Sequence, residues 1–186
     1  TILQAAEALG ISILTLCYNE ALSISGACRM CLVEVQGAKA LMAACATPVA
    51  EGMVVRTRSE RVIRARRILL ELYISDHPLD CMTCERCGDC KLQQYAYEYG
   101  VGATRFAGER RAELISSDRN PFYSRDHGKC ILCGQCVRMC AEIQCNNAID
   151  FSLRGFEARI STPFDVPMEQ SDCVFCGNCI DVCPVA

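Results

Sequence analysis

The sequence predicts an α+β fold divided into small units, and three observations carry that prediction. Residues 1–58 place a helical pattern ahead of an alternating strand, residues 59–100 hold two helical patterns, and from 123 to 186 one cysteine word is written twice, 43 residues apart. In the first unit Ile2, Leu3, Ala6 and Leu9 share one helical face, with Gly10 as the expected stop. Cys31 to Gln36 alternates as a strand before a turn at Gly37, and Val54-Val55-Arg56 reads as a short last strand. In the second unit Ser59 caps a helix running to about Ser75, with Val62, Ala65, Leu69 and Leu72 as its apolar stripe. Arg61, Arg64, Arg66 and Arg67 form a solvated basic face on it, and His77-Pro78 ends it. Cys90 to Tyr99 predicts a short helix closed by Gly100, in which Tyr95 and Tyr99 are packing groups one turn apart. Residues 101–122, with Gly102, Gly108 and the polar run Ser116 to Pro121, read as a linker.

The repeated word is Cys130-x2-Cys133-Gly-x-Cys136-x3-Cys140, then Cys173-x2-Cys176-Gly-x-Cys179-x3-Cys183-Pro184. Three thiolates at this spacing surround one cubane iron-sulfur cluster, and the fourth reaches its neighbour. That crossing assigns Cys130, Cys133, Cys136 and Cys183 to one 4Fe-4S cluster, and Cys140, Cys173, Cys176 and Cys179 to the other. Gly134 and Gly177 follow the second cysteine of each copy, where a tight turn brings backbone close to sulfur. Pro184 stops the helix of the second copy, whereas Ala141 at the matching place leaves the first without that stop.

Two further sets lie upstream. Cys17-x10-Cys28-x2-Cys31-x13-Cys45 suits a 2Fe-2S cluster, and Gly26-Ala27 keep its loop small enough for N–H groups to approach the sulfurs. His77-x3-Cys81-x2-Cys84-x5-Cys90 has Cys87 in its middle. Here one histidine with three cysteines competes with four cysteines at x2 spacing, and spacing leaves both open. A neutral imidazole would leave the cluster one unit less negative and easier to reduce. Cys145 fits no set and is expected as a small buried residue, and His127 as a surface residue.

Composition excludes several classes. Seventeen cysteines in 186 residues suit a disulfide scaffold or a metal protein, but the count is odd, the Cys-x2-Cys triplets are more than bonded pairs need, and no secretory segment is present. Zinc takes two Cys-x2-Cys pairs and would leave thiolates over. Thiolate ligands need a reducing, cytoplasm-like compartment. The formal charge of −3 counts every cysteine as neutral; with one 2Fe-2S and three 4Fe-4S clusters it becomes about −10, so nucleic acid is not an expected partner. The longest apolar run, Ala40 to Ala46, is too short to span a membrane. No phosphate-binding glycine loop and no nucleophile–base pair is present, so no residue is expected to be catalytic and the chemistry is one-electron transfer. The chain opens without Met inside a helical pattern and stops three residues after Cys183, so it is expected to be part of a longer protein.

The order of these motifs, including His77-Pro78-Leu79-Asp80-Cys81-Met82-Thr83-Cys84 and Gly88-Asp89-Cys90, resembles one known family. It is the amino-terminal electron-relay portion shared by cytoplasmic NAD(P)-linked molybdenum or tungsten formate dehydrogenases, iron-only hydrogenases and the large peripheral subunit of respiratory complex I. The resemblance implies a β-grasp 2Fe-2S ferredoxin domain over 1–58, its opening strands missing. It also implies a small helical His-Cys 4Fe-4S domain over 59–100 and a two-cluster 4Fe-4S ferredoxin-like domain over 123–186. It favours His77, Cys81, Cys84 and Cys90 as the ligands of the second site, with Cys87 spare. The stretches Asp76–Cys84 and Ser171–Cys179 look most like formate dehydrogenase catalytic subunits, with iron-only hydrogenase a close second. A free-standing polyferredoxin is the alternative of a different class. The formate reading implies a molybdopterin site with Mo or W outside this segment. Electrons would then run through the paired cubanes, the His-ligated cluster and the 2Fe-2S centre to an NAD(P)- or ferredoxin-linked subunit of a multi-subunit complex.

Overall fold

In the computed structural model, which describes residues 1–108 and 123–185, helix α1 spans Ile2–Ala8 and starts with a capping box. The Thr1 side chain accepts from the Gln4 N–H, and the Gln4 side chain bonds back to the Thr1 backbone. Ile2, Leu3 and Ala6 are buried as expected, but Leu9 is 75% exposed. The helix ends at Ala8, and Gly10 at φ +71° turns the chain, so Leu9 falls outside the buried stripe.

Strands β1 (Leu32–Val35), β2 (Met42–Ala43) and β3 (Val55–Arg56) form an antiparallel sheet in the order β2-β1-β3. Leu32 faces Ala43, and Glu34 faces Arg56. Leu3 N–H donates to the Ala44 carbonyl (3.0 Å), which fixes α1 to the turn after β2.

Helix α2 spans Glu60–Ser75, and its Ser59 cap accepts from Val62 N–H. Its phase differs from the expected stripe. The buried row is Val62, Arg66, Leu70 and Ile74, each four residues after the last, while Leu72 is 47% exposed. Arg66, expected on the solvated face, is 2% exposed. Each of its three guanidinium nitrogens donates to a backbone or tyrosine oxygen, so none of them is buried without a partner. Arg61, Arg64 and Arg67 are exposed as expected.

Helix α3, Lys91–Glu98, is capped by the Cys90 sulfur, which accepts from Gln93 N–H at 3.5 Å, and Gly100 follows at φ +64°. Tyr95 and Tyr99 are buried packing groups; the Tyr95 hydroxyl donates to the Thr15 carbonyl. Residues 101–108 form neither helix nor strand, and the rest of the expected linker lies outside the described residues.

Helix α4 (Gln135–Arg138) runs on as a π-turn over Met139–Ile143, whereas α5 (Asn178–Asp181) stops just before Pro184. This asymmetry is the one that Ala141 and Pro184 predict. Between the two copies, β4 (Asp150–Ser152) and β5 (Arg159–Ser161) form an antiparallel ribbon. The largest core joins the first cysteine loop to α2, α3 and the repeated module: Leu16, Cys17, Cys28 and Met30 pack with Leu70 and Ile74 of α2, Leu92, Tyr95 and Tyr99 on and after α3, and Ile131, Cys133 and Val185. In separate cores, α1 packs on the first sheet and β4–β5 on Met168. The fold is a mixture of helices and two small sheets.

Candidate metal centres

All 17 cysteines are free thiols. Cys17, Cys28, Cys31 and Cys45 are each at most 3% exposed. The Leu16 N–H donates to the Cys28 sulfur and the Cys28 N–H to the Cys17 sulfur, both at 3.4 Å, and the Cys31 and Cys45 sulfurs lie 3.4 Å apart. Gly26, at φ +62°, makes the turn that admits these N–H groups. The Cys28 thiol and backbone bond to Cys17 and pull its pKa down to about 5, while that shared proton pushes Cys28 up. Burial raises Cys45 to about 12. The pair Cys17–Cys28 thus releases one proton readily and resists a second, unless a cation takes up the charge.

In the second group Cys81, Cys84 and Cys90 are half-buried. Burial raises the thiols of Cys81 and Cys90, with Cys84 adding to each. Cys87 is exposed, and its sulfur accepts from Gln93 Nε2 at 3.6 Å. His77 Nδ1 is buried without a hydrogen-bond partner, an arrangement that asks for a ligand. Burial lowers the His77 pKa, which keeps the ring neutral, the state in which an imidazole binds metal. Lys129 stands over this group, 3.5 Å from Asp126 and 4.0 Å from Asp80.

The repeated word folds twice in the same way. The Leu132 N–H donates to the Cys130 sulfur and the Phe175 N–H to the Cys173 sulfur, both at 3.4 Å, and Leu132 and Phe175 share φ +54°. Nothing in those two residue types announces a left-handed backbone. Gly134 and Gly177, at φ +69° and +79°, then start α4 and α5. A Cβ on Gly134 would stand 2.9 Å from the Phe151 ring, whereas one on Gly177 would meet nothing within 4 Å. Either alanine should lose roughly 1–2 kcal/mol to the left-handed backbone. Gly134→Ala is expected to lower the thermal midpoint further, by displacing Phe151; equal losses would exclude that contact.

Thiols of the two copies lie near one another. Burial pushes Cys133 up to about 12, with Cys183 and Cys130 adding to it, and Cys136 rises for the same reasons. Cys140, Cys173, Cys176 and Cys179 line one cavity together with Gly177, Ile149 and Met168. Burial raises Cys179 to about 11. Two expectations need correction. Cys145 is exposed, on a left-handed residue just beyond the π-turn, and not buried. His127 is half-buried and lines a cavity with Cys130, Cys136, Cys179 and Cys183, so it is not a free surface residue.

Among the described residues, no three His, Cys, Asp or Glu side chains close tightly enough for a single metal ion. A polynuclear core separates its ligands more widely than one ion does. Soft thiols, N–H groups aimed at sulfur and an unsatisfied imidazole nitrogen together suit iron-sulfur clusters.

The loop of the first group is gripped by α4. Gln135 Nε2 donates to the Leu16 carbonyl at 2.8 Å, and Arg138 donates to the carbonyls of Cys17 (2.6 Å) and Ser23. Glu142 accepts from the Ser23 backbone and hydroxyl. Motif spacing carries no sign of this grip.

Three family models tile the chain. A 2Fe-2S iron-sulfur cluster binding domain matches residues 1–60, the iron-sulfur binding region of NADH-ubiquinone oxidoreductase-G matches 66–105, and a 4Fe-4S dicluster domain matches 129–186. The chain is 42% identical to the HndD subunit of the NADP-reducing hydrogenase of Solidesulfovibrio fructosivorans, over 99% of this chain and 32% of that protein. It is 38% identical to the mitochondrial NADH-ubiquinone oxidoreductase 78 kDa subunit of Candida albicans, over 100% of this chain and 25% of that one. The chain thus spans about a third or less of these curated relatives. In a crystal structure of an NAD+-reducing [NiFe]-hydrogenase in the H2-reduced state, a chain 33% identical superposes with a TM-score of 0.87, covering 100% of this chain and 78% of that one. The chain belongs to the iron-sulfur electron-transfer region of the family that includes NADH-G-type subunits and NAD(P)-reducing hydrogenase subunits.

Proposed function

We propose that this chain relays single electrons within a multi-subunit NAD(P)-linked oxidoreductase, through one 2Fe-2S and three 4Fe-4S clusters. In this reading Cys17, Cys28, Cys31 and Cys45 hold the 2Fe-2S cluster, and His77, Cys81, Cys84 and Cys90 hold a 4Fe-4S cluster. Cys130, Cys133, Cys136 and Cys183 hold a second cubane, and Cys140, Cys173, Cys176 and Cys179 the third. Such clusters supply one-electron redox couples; the chain's residues set their spacing and exclude water.

The observation that carries the reading is the packing of Cys17 and Cys133 into one core, locked by Gln135 and Arg138. It supports a path different from the linear order of the motifs. The Cys130–Cys183 group touches the 2Fe-2S loop directly, and it also adjoins the His77 group, because Lys129, next to Cys130, pairs with Asp80. This group is therefore a junction, and electrons need not pass through the His77 group to reach the 2Fe-2S centre.

For the ligand choice, the orphaned Nδ1 of His77 and the outward position of Cys87 favour the imidazole. His77→Ala is expected to alter one 4Fe-4S signal in electron paramagnetic resonance, while Cys87→Ser leaves all signals in place. The reverse pattern would establish the all-cysteine set.

Two catalytic chemistries outside this segment fit the relay. Formate oxidation at a molybdopterin centre rests on the stretches Asp76–Cys84 and Ser171–Cys179. Hydrogen oxidation, by an enzyme of the hydrogenase class, rests on the likeness to an NADP-reducing hydrogenase subunit, beside which stands an NADH-quinone oxidoreductase subunit of similar identity. Anaerobic addition of formate, and separately of H2, to the full-length enzyme decides between them by which one reduces the clusters. Reduction by neither substrate, with NAD(P)H still effective, would remove both and leave the relay.

A further inference from the structure

Arg66 is 2% exposed, and every acceptor it meets is neutral. Its Nε donates to the Met30 carbonyl at 3.0 Å, one Nη to the Leu32 carbonyl at 3.0 Å, and the other to the Tyr99 hydroxyl at 2.8 Å. Among the described residues no carboxylate pairs with it. A guanidinium buried this way is strongly disfavoured unless an anion lies close enough to balance it. The place it occupies identifies that anion. Met30 and Leu32 flank Cys31, and Met30 is wholly buried in the same core as Cys17 and Cys28.

Arg138 grips the same loop from the other side but differs in kind. Its charge also acts on Cys17, but it is only half-buried, and Glu142, bonded to the same Ser23, partly offsets that charge. Arg66 has no such offset.

We propose that Arg66 is the fixed counter-charge of the cluster held by Cys17, Cys28, Cys31 and Cys45, and that it raises the reduction potential of this centre above that of an otherwise identical site. A positive charge in a dry, low-dielectric core favours the reduced, more negative cluster, and there water screens it little. The relay then has a relative electron sink where the chain's 2Fe-2S loop meets the junction cubane. The inference rests on the relay reading for the identity of the anion.

Redox titration of the anaerobically prepared holoprotein, followed by electron paramagnetic resonance, tests it. Arg66→Gln and Arg66→Met are expected to lower the midpoint of the 2Fe-2S signal and leave the three 4Fe-4S midpoints in place. Arg66→Lys, which keeps the charge but not the forked grip, should recover most of the parent value. An unchanged midpoint in a neutral variant with full iron content would overturn the proposal. If both neutral variants lose the cluster, Arg66→Lys still decides. A midpoint close to the parent's supports a counter-charge, and a large fall in a fully loaded protein shows that geometry, not charge, sets the potential. Absence of any 2Fe-2S signal in the parent protein would instead sink the relay reading itself.

Discussion

Anaerobic removal of iron with a chelator is expected to unfold residues 123–185, with loss of cooperative melting there and of amide protection in β4 and β5. The packing explains why this unit should fail first. Its own apolar cluster, among the described residues, buries Ile149, Ile160 and Met168, and around them pack Leu132 and Val137 together with Cys130, Cys136, Cys140, Cys173 and Cys179. Five thiols packed there can organise iron, but without it each is a small side chain with little apolar area to bury. A structural metal site contributes on the order of 10 kcal/mol to folding, comparable with the roughly 5–15 kcal/mol of a whole domain. The larger core around Leu70, Tyr95 and Tyr99 should keep part of its helix content. A chelated protein with an unchanged far-ultraviolet dichroism spectrum and a melt within a few degrees of the holoprotein would contradict this.

Cys183→Ser is expected to remove the same cubane as Cys130→Ser, with a loss of about four iron atoms from about 14. It should leave the cluster that Cys140→Ser and Cys173→Ser disturb. Cys183 lies 43 residues beyond Cys140 in sequence, yet it acts on the thiols of Cys133 and Cys136 in the other copy. It is held there from behind. The Lys91 N–H at the start of α3 donates to the Pro184 carbonyl at 2.9 Å, and Val185 is 2% exposed in the shared core. Cys140, conversely, shares its cavity with Cys173, Cys176 and Cys179. If the spectrum of Cys183→Ser matched that of Cys173→Ser, the two words would each hold their own cluster and the crossing would be wrong.

Features set by neighbours in the chain are legible without coordinates. The turns at Gly134 and Gly177, the Ser59 cap, the packing of Tyr95 and Tyr99, and the different helix ends, at Ile143 and before Pro184, all follow from residues within a few positions of one another. The departures share a cause as well. Charge alone puts Arg66 on the solvated face, and the apolar residues then fit the wrong stripe of α2. Helical spacing gives Leu9 a face that the helix no longer has after Ala8, and the usual burial of thiols puts Cys145 in an interior it does not enter. In each case a residue's average preference loses to a specific set of partners.

The sequence by itself determined which thiols and imidazole are on offer as soft ligands and how they are spaced along the chain, because a cluster loop is short and its spacing is a local property. Only the tertiary structure decided how the groups meet: Gln135 on Leu16, Arg138 on Cys17 and Arg66 beside Cys31. Those contacts join residues 119, 121 and 36 positions apart. They run from side chains to backbone carbonyls, which every residue has, so no pairing of residue types in the sequence marks them.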